Sequence, residues 1–461
     1  MINFDSVQTI HCVGIKGAGV SGLACILKKR GKEVCGSDSD EKFFTDAILK
    51  ACGIPCERFS PDHIARQPFD LVIYSTAWKE SSEVLAALAR GIPAISYPQA
   101  LGMLMSGAYG IAVAGSHGKT TATAMLVHVM IRAGLDPTAV VGSALCQYGT
   151  GAYSGSSEYV VIEADEYENK FQYYHPRAVL LTNVDYDHPD YFSTPMQYDE
   201  VFEAFLAKTL DRRGVVVACG DDAGVARICR PHRQGSIVYY GMGEGSVYRG
   251  ADVEHIGPAL RYSLACEEKQ CGRFSLGLIG AHNVRNALGV IALCDTIGLV
   301  DAVRAATLLQ DFKGTSRRFE YKGRRGKAVI YDDFAHHPRE IASTLEAARA
   351  AFPGKHIWCV FGAHTFSRTE AFLSDFAKSF SAVDSVLVLD IYGSAREQKG
   401  AIQGGGLADA IHAVSGNAQY VGTQNAALHE IASHIDEIDV LITMGAGDVW
   451  HIAEELVGSA I

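Results

Sequence analysis

The sequence predicts an α/β protein of three domains, on three observations. The chain has 461 residues, about three domains of ordinary size. Three successive stretches each alternate short apolar runs with amphipathic segments, the pattern of largely parallel sheets covered by helices. Two of those stretches open on an apolar strand, a glycine-bearing turn and a helix. The expected domains are 1–105, 106–314 and 315–461.

In the first stretch, TIHCVGI, KEVCGSD and DLVIYST read as strands, with VSGLACILKKRG a helix between the first two. The turn GIKGAGVSG sets Gly17, Gly19 and Gly22 at the spacing G-x-G-x-x-G, and Asp38 ends the next strand. That is a Rossmann-like diphosphate site with an acid near a sugar, for which NAD is the default ligand. A second nucleotide loop further on favours two different phosphorylated ligands. The domain closes near YPQALGMLM.

The second stretch begins at YGIAVAGSHGKTT and continues through strands at YVVIEADE, AVLLTNVDYDH and GVVVACGDD. It ends in the helix NVRNALGVIALCDTIG and a helical pattern up to LLQDFKG. The turn GSHGKTT would aim backbone amides and a positive helix end at phosphate oxygens. Lys119 would reach the β- and γ-phosphates, and the Thr120 hydroxyl a magnesium ion. The usual phosphate-loop pattern wants Gly where Val113 stands, so the strand-turn-helix context carries the reading. Acidic strand ends supply metal partners: Glu163, Asp165 and Glu166 after one run, then Asn183, Asp185, Asp187 and His188 after the next. Two such ends facing one loop suggest two metal ions around a triphosphate. Residues 241–275 alternate without helical period and read as a small antiparallel insertion in this domain. The third stretch starts near TSRRFE, with strands at AVIYDDF, HIWCVFG, SVLVLDIYG and VLITMGAGD.

A net charge of −11 argues against a general nucleic-acid binder, which needs a basic face. The 12 cysteines include no Cys-x-x-Cys pair, and Cys12, Cys219 and Cys359 lie in apolar runs. Buried, reduced thiols are expected. With no leader-like start and no apolar run near the roughly 18 residues of a membrane span, the expectation is a cytoplasmic protein without membrane insertion.

GIKGAGVSG with GSD, GSHGKTT, EADE, TNVDYDH, GAHNVRNAL, SRRFE, DDFAHHPREI, HTFSRT and TMGAGD occur in one order. Together they resemble the Mur ligase family over essentially the whole chain. That family's loop is a short G-x-x-G-K-T form, which Gly115, Gly118, Lys119 and Thr120 match without Val113.

The resemblance implies a ligase using ATP and Mg2+, with a UDP-sugar domain, an ATP domain and a Rossmann-like amino-acid domain. Carried over, Gly17, Ala18, Gly19 and Asp38, with His188, would bind the UDP-sugar. Gly115, Ser116, His117, Gly118, Lys119, Thr120 and Thr121 would line ATP, with His282, Asn283 and Asn286 at its adenine. Thr120, Glu163 and His188 resemble the metal ligands. Arg318, Asp333, His336 and His337 would close over ATP and the reacting carboxylate, and His364 and Arg368 would lie near the amino acid or the sugar phosphates.

The implied reaction joins L-alanine to the carboxylate of UDP-N-acetylmuramate through an acyl phosphate, giving ADP and phosphate, in peptidoglycan precursor synthesis. Lys119, magnesium and Arg318 would offset the crowded negative charge. His336 or His337 would help deprotonate the amine. Domain closure would exclude water.

Relatives adding D-glutamate or a diamino acid carry a lysine where residues 189–207 have none. YENKFQYY runs directly into HPRAVLL, without the insertion of tripeptide-adding relatives. Both features favour alanine, and tripeptide ligation in cell-wall recycling, or another amide ligation, is the alternative. Three departures stand out: Lys16 for a Gly, STAWKESSE for a Ser-Ala run with Asn-Pro-Glu, and Gly362 with Ala363 for Gln-Pro. An NAD-dependent oxidoreductase and a catalytically silent sugar-nucleotide sensor remain as other classes. Monomer and homodimer both fit the family.

Overall fold

Strands covered by helices on both faces read as unbroken apolar runs, and the computed structural model builds its sheets largely from such runs. It describes residues 4–43, 45–189, 191–232, 236–393 and 400–458. Two compact units emerge. The first comprises Met1–Asp185, Met196–Arg249 and Ala287–Leu309, and the second Tyr186–Pro195, Gly250–Asn286 and Gln310–Ile461.

The first unit holds a five-stranded parallel sheet of β1 (Thr9–Val13), β2 (Glu33–Asp38), β3 (Cys56–Arg58), β4 (Leu71–Tyr74) and β5 (Ala94–Ser96). Its order is β3-β2-β1-β4-β5, and the helix Ala18–Lys29 crosses from β1 to β2. The same unit carries β6 (Tyr109–Ala114), β7 (Thr138–Leu145), β8 (Thr150–Tyr153), β9 (Tyr159–Glu163), β10 (Ala178–Leu181), β11 (Val215–Cys219) and β12 (Ile237–Gly241). They run in the order β12-β11-β10-β6-β9-β7-β8. Thus β6 lies between β10 and β9, parallel to both, and the two acidic strand ends flank the strand that leads into the glycine loop. β13 (Tyr248–Ile256) begins beside β12, pairing Tyr240 with Tyr248.

In the second unit, β14 (Ala259–Cys266) and β15 (Lys269–Leu276) form an antiparallel hairpin. The sequence expectation of antiparallel structure there holds. The main sheet has β16 (Glu320–Arg325), β17 (Ala328–Asp333), β18 (Ile357–Phe361), β19 (Ser385–Leu389), β20 (Ala418–Gly422) and β21 (Val440–Met444) in the order β16-β17-β21-β18-β19-β20. All pair in parallel except the edge strand β16. Alternation splits β18 between two cores. Ile357, Cys359 and Phe361 join Leu345, Phe376 and Phe380 on one face, and Trp358 and Val360 join Leu441 and Ile452 on the other.

Cys12, Cys219 and Cys359 are buried and free. Among the described residues, no helix is long and apolar enough to cross a membrane.

Candidate active site

β6 is fully buried from Ile111 to Ala114, and Val113 pairs with Glu163 inside the sheet. The turn begins only after it, so a Gly at 113 has no task. Gly115 at φ +139° and Gly118 at φ +79° hold conformations that side chains resist. A Cβ on Gly115 would also lie 2.1 Å from Thr182 Oγ1. The helix Lys119–Arg132 starts directly after Gly118, leaving its first N–H groups without helical partners.

Asn183 clamps this loop. Its Oδ1 accepts from the His117 N–H at 2.8 Å, and its Nδ2 donates to the His117 carbonyl at 2.8 Å. The Thr182 hydroxyl donates to the same carbonyl at 2.7 Å. The Ser116 hydroxyl donates to the Asp185 carbonyl at 2.7 Å and meets the Tyr198 hydroxyl at 2.7 Å.

The Lys119 ammonium donates to the Gly115 and Ser116 carbonyls and pairs with Glu166 at 2.9 Å. Burial alone would lower its pKa, but Glu166, Asp165 and Glu163 outweigh burial and keep it charged. Thr120 donates its hydroxyl to Glu163 Oε1 at 2.8 Å, and Glu163 Oε2 accepts the Gly142 N–H at 2.7 Å. The other acids have separate partners: Asp165 meets Lys170, and Asp185 meets His117 at 3.2 Å. Thr120 and Glu163 are therefore adjacent hard oxygen donors, the type magnesium takes.

In the first-domain loop, Gly17 caps the helix that opens with Ala18 and Gly19. Asp38, 6% exposed, accepts the N–H groups of Lys16 at 2.7 Å and Ser39 at 2.8 Å, so its carboxylate closes the loop. The Lys16 ammonium donates to the carbonyls of Ser39 and Glu41 and pairs with Asp46 at 3.3 Å. This departure braces the loop from its own side. Trp78 packs against Phe59, ring centroids 4.5 Å apart.

The second unit gathers the remaining candidates. Asp333, buried at the end of β17, accepts the Phe319 and Ala335 N–H groups, each at 2.7 Å. It thereby ties the SRRF turn to the AHH turn, and burial pushes its pKa up to about 6. Arg317 and Phe319 have φ of +61° and +48°, and Arg318 between them lies over the Phe334 ring at 5.2 Å. His336 Nδ1 lies 3.0 Å from the Phe334 carbonyl, which assigns the proton to Nδ1 and the lone pair to Nε2. Burial pushes its pKa down to about 3. His337 caps the helix Pro338–Ala351, its Nδ1 accepting from the Arg339 N–H. His282, pushed down to about 4 by burial, meets the Ser343 hydroxyl at 3.0 Å. Asn283 donates to the Ile279 carbonyl, and Asn286 donates to Asn283.

Arg368 approaches Asp187 at 3.4 Å. Burial would raise the Asp187 pKa, but His188, Arg368 and His337 carry it well below the carboxylate range. His188 sits at φ +58°, and His364 stacks on Tyr392, centroids 6.0 Å apart. Gly362 helps line a cavity of about 230 Å³ with Asp390, Tyr392, Thr423, Asp448 and Val449. It lies at the carboxyl ends of β18 and β19, where open α/β sheets bind ligands. The motifs pointed to the acids and to Arg318, but not to the clamp by Asn183, the Tyr198 hydroxyl or the role of Arg317. No sequence spacing links them.

Comparison with known proteins covers the same ground. Residues 9–109 match the Mur ligase family catalytic domain, 113–294 the Mur ligase middle domain, and 317–447 the Mur ligase glutamate ligase domain. The chain is 40% identical over 453 residues to the UDP-N-acetylmuramate–L-alanine ligase of Desulfitobacterium hafniense, covering 97% of this chain and 99% of that one. Among solved structures, the UDP-N-acetylmuramate-alanine ligase of Thermotoga maritima matches with a TM-score of 0.81 at 26% identity, over 97% and 98% of the two chains. The murein peptide ligase of Psychrobacter arcticus shares the fold, with a TM-score of 0.71 at 24% identity over 98% and 99%.

Proposed function

The chain belongs to the Mur ligase family, and from that premise we propose that it uses ATP to join L-alanine to the carboxylate of UDP-N-acetylmuramate. The observation that carries this reading is a phosphate loop with Lys119 held charged and Thr120 bonded to Glu163, in a chain 40% identical from end to end to an L-alanine-adding ligase. The run from Tyr167–Tyr173 to β10 without insertion supports a single amino acid over a tripeptide.

The substrate carboxylate attacks the γ-phosphorus, the bond to ADP breaks, and an acyl phosphate results. Lys119 exchanges its loop carbonyls for phosphate oxygens and delivers an undiminished charge to them. Thr120 and Glu163 fit a magnesium ion, which when bound shields the phosphate charge. The alanine amine then attacks the acyl carbon and phosphate leaves. We assign the amine's proton to His336 Nε2, since His337 is occupied as a helix cap. Burial keeps His336 neutral, and an anionic substrate beside it raises its basicity toward the useful range. Arg318 is the cation offered to the developing charge.

The test is phosphate release with Mg-ATP and UDP-N-acetylmuramate, run in parallel with L-alanine, L-serine, glycine and the tripeptide. Release that needs the sugar nucleotide and L-alanine together is expected. Release with the tripeptide alone would move the protein to recycling, and full activity in Lys119→Ala would overturn the ligase mechanism.

A further inference from the structure

Inside the first domain, β1 and the helices Asp62–Arg66 and Ser82–Ala89 bring His11, His63 and Glu83 together. They are 1%, 8% and 0% exposed. One ligand atom from each falls within 4.8 Å of the others. Glu83 Oε1 is 2.9 Å from His63 Nδ1 and 3.5 Å from His11 Nε2. Ligands on a tetrahedron with bonds of about 2.0 Å stand about 3.3 Å apart, and the two observed separations bracket that edge.

The layer behind these atoms separates the cluster from an ordinary buried ion pair. His63 Nε2 lies 3.1 Å from Glu57 Oε2. His11 Nδ1 lies 3.4 Å from Cys35 Sγ. Glu83 Oε2 accepts the Ser37 hydroxyl at 2.6 Å. Each residue has its other polar atom held from behind, as metal ligands are oriented, while Glu83 Oε1 also accepts the Ser60 N–H at 3.2 Å and His11 Nε2 lies 3.4 Å from the Ser37 hydroxyl.

Val13, Ile64, Phe69, Val72 and Val84 belong to one apolar cluster of this domain, and Phe69 packs against the His11 ring at 5.1 Å.

We propose that His11, His63 and Glu83 bind one zinc-class divalent ion, which staples β1 to the two helices. Two imidazoles and a carboxylate suit zinc and its transition-metal neighbours, whereas magnesium prefers oxygen donors alone. The site is therefore chemically distinct from the magnesium position proposed at Thr120 and Glu163, and it stands whether or not the ligase reading does. Glu57, exposed beside His63, marks the side from which an ion enters.

The test uses the full chain, free of any affinity tag, stripped by chelator and titrated with zinc in excess Mg2+ against a chromophoric competitor. Cobalt(II) serves as the spectroscopic probe. One zinc per chain and tetrahedral cobalt bands are expected, both lost in His63→Gln. Glu57→Gln, a surface change, should weaken zinc by about 10–100-fold while the metal-free protein keeps its melting temperature. Zinc uptake that is absent, or equal in wild type and both variants, would overturn the proposal and leave a hydrogen-bonded cluster with no ion.

Discussion

Arg317 sends its guanidinium to Asp332 Oδ2 at 2.9 Å and to the carbonyls of Gly445 and Gly447. The Arg318 guanidinium makes no hydrogen bond or ion pair among the described residues and rests on Phe334. Adjacent and identical in type, they predict opposite phenotypes. Arg317→Ala leaves Asp332, 1% exposed, without its cation and should cost roughly 3 kcal/mol of stability. Arg318→Ala should leave the stability within about 0.5 kcal/mol of wild type and lower kcat by on the order of 10²–10³. Thermal melts beside steady-state rates decide this, and a stable, fully active Arg318→Ala would remove Arg318 from the site. The histidine pair divides in the same way. His337→Gln loses a helix cap and should cost about 1 kcal/mol, while His336→Gln should spare ADP formation trapped by hydroxylamine and slow transfer to alanine. A variant pair with indistinguishable kinetics would show that the helix cap and the free Nε2 have been misassigned.

Elements differ in how legibly they were written. Strands buried on both faces, such as β6, β10 and β18, announce themselves as apolar runs because no position faces water. The three-residue β3 and β5 and the edge strand β16, EYKGRR, carry no such signal. They are strands only because a neighbour supplies hydrogen bonds. The site divides likewise. Glycine spacing and the following Lys-Thr are local, so the loop could be read from sequence. The clamp could not, since Asn183 lies 66 residues from His117 and shares no period with it. Its role is nevertheless testable at the level of the element. Asn183→Asp keeps size but points an oxygen at the His117 carbonyl in place of a donor. Leaving that carbonyl opposed should cost about 1–3 kcal/mol and raise KM for ATP more than KM for alanine. Equal KM shifts, or none, would mean that the loop holds its shape through Gly115 and Gly118 alone.

Over the whole molecule, a net charge of −11 is set against anionic substrates, so the protein relies on a few local cations and on histidines held neutral. That arrangement has a consequence for acid stability. Burial lowers His282 from 6.5 to about 4 and His336 to about 3. Below pH 6.5 the unfolded chain takes up protons at both positions before the folded one does. Stability present at neutral pH is therefore lost as pH falls toward 4. Asp333 has the opposite sign: raised from 3.8 to about 6, it binds its proton more tightly when folded and gains stability over part of the same range. Two histidines against one aspartate leave an excess of about one proton in the unfolded state, a loss of about 1.4 kcal/mol per pH unit. The double variant His282→Gln, His336→Gln removes both histidine contributions and leaves Asp333, so its dependence should flatten or reverse. Urea unfolding at several pH values between those limits measures both slopes. Parallel slopes would mean that neither ring is held neutral by the fold, and the assignment of His336 Nε2 as the proton acceptor would fall with them.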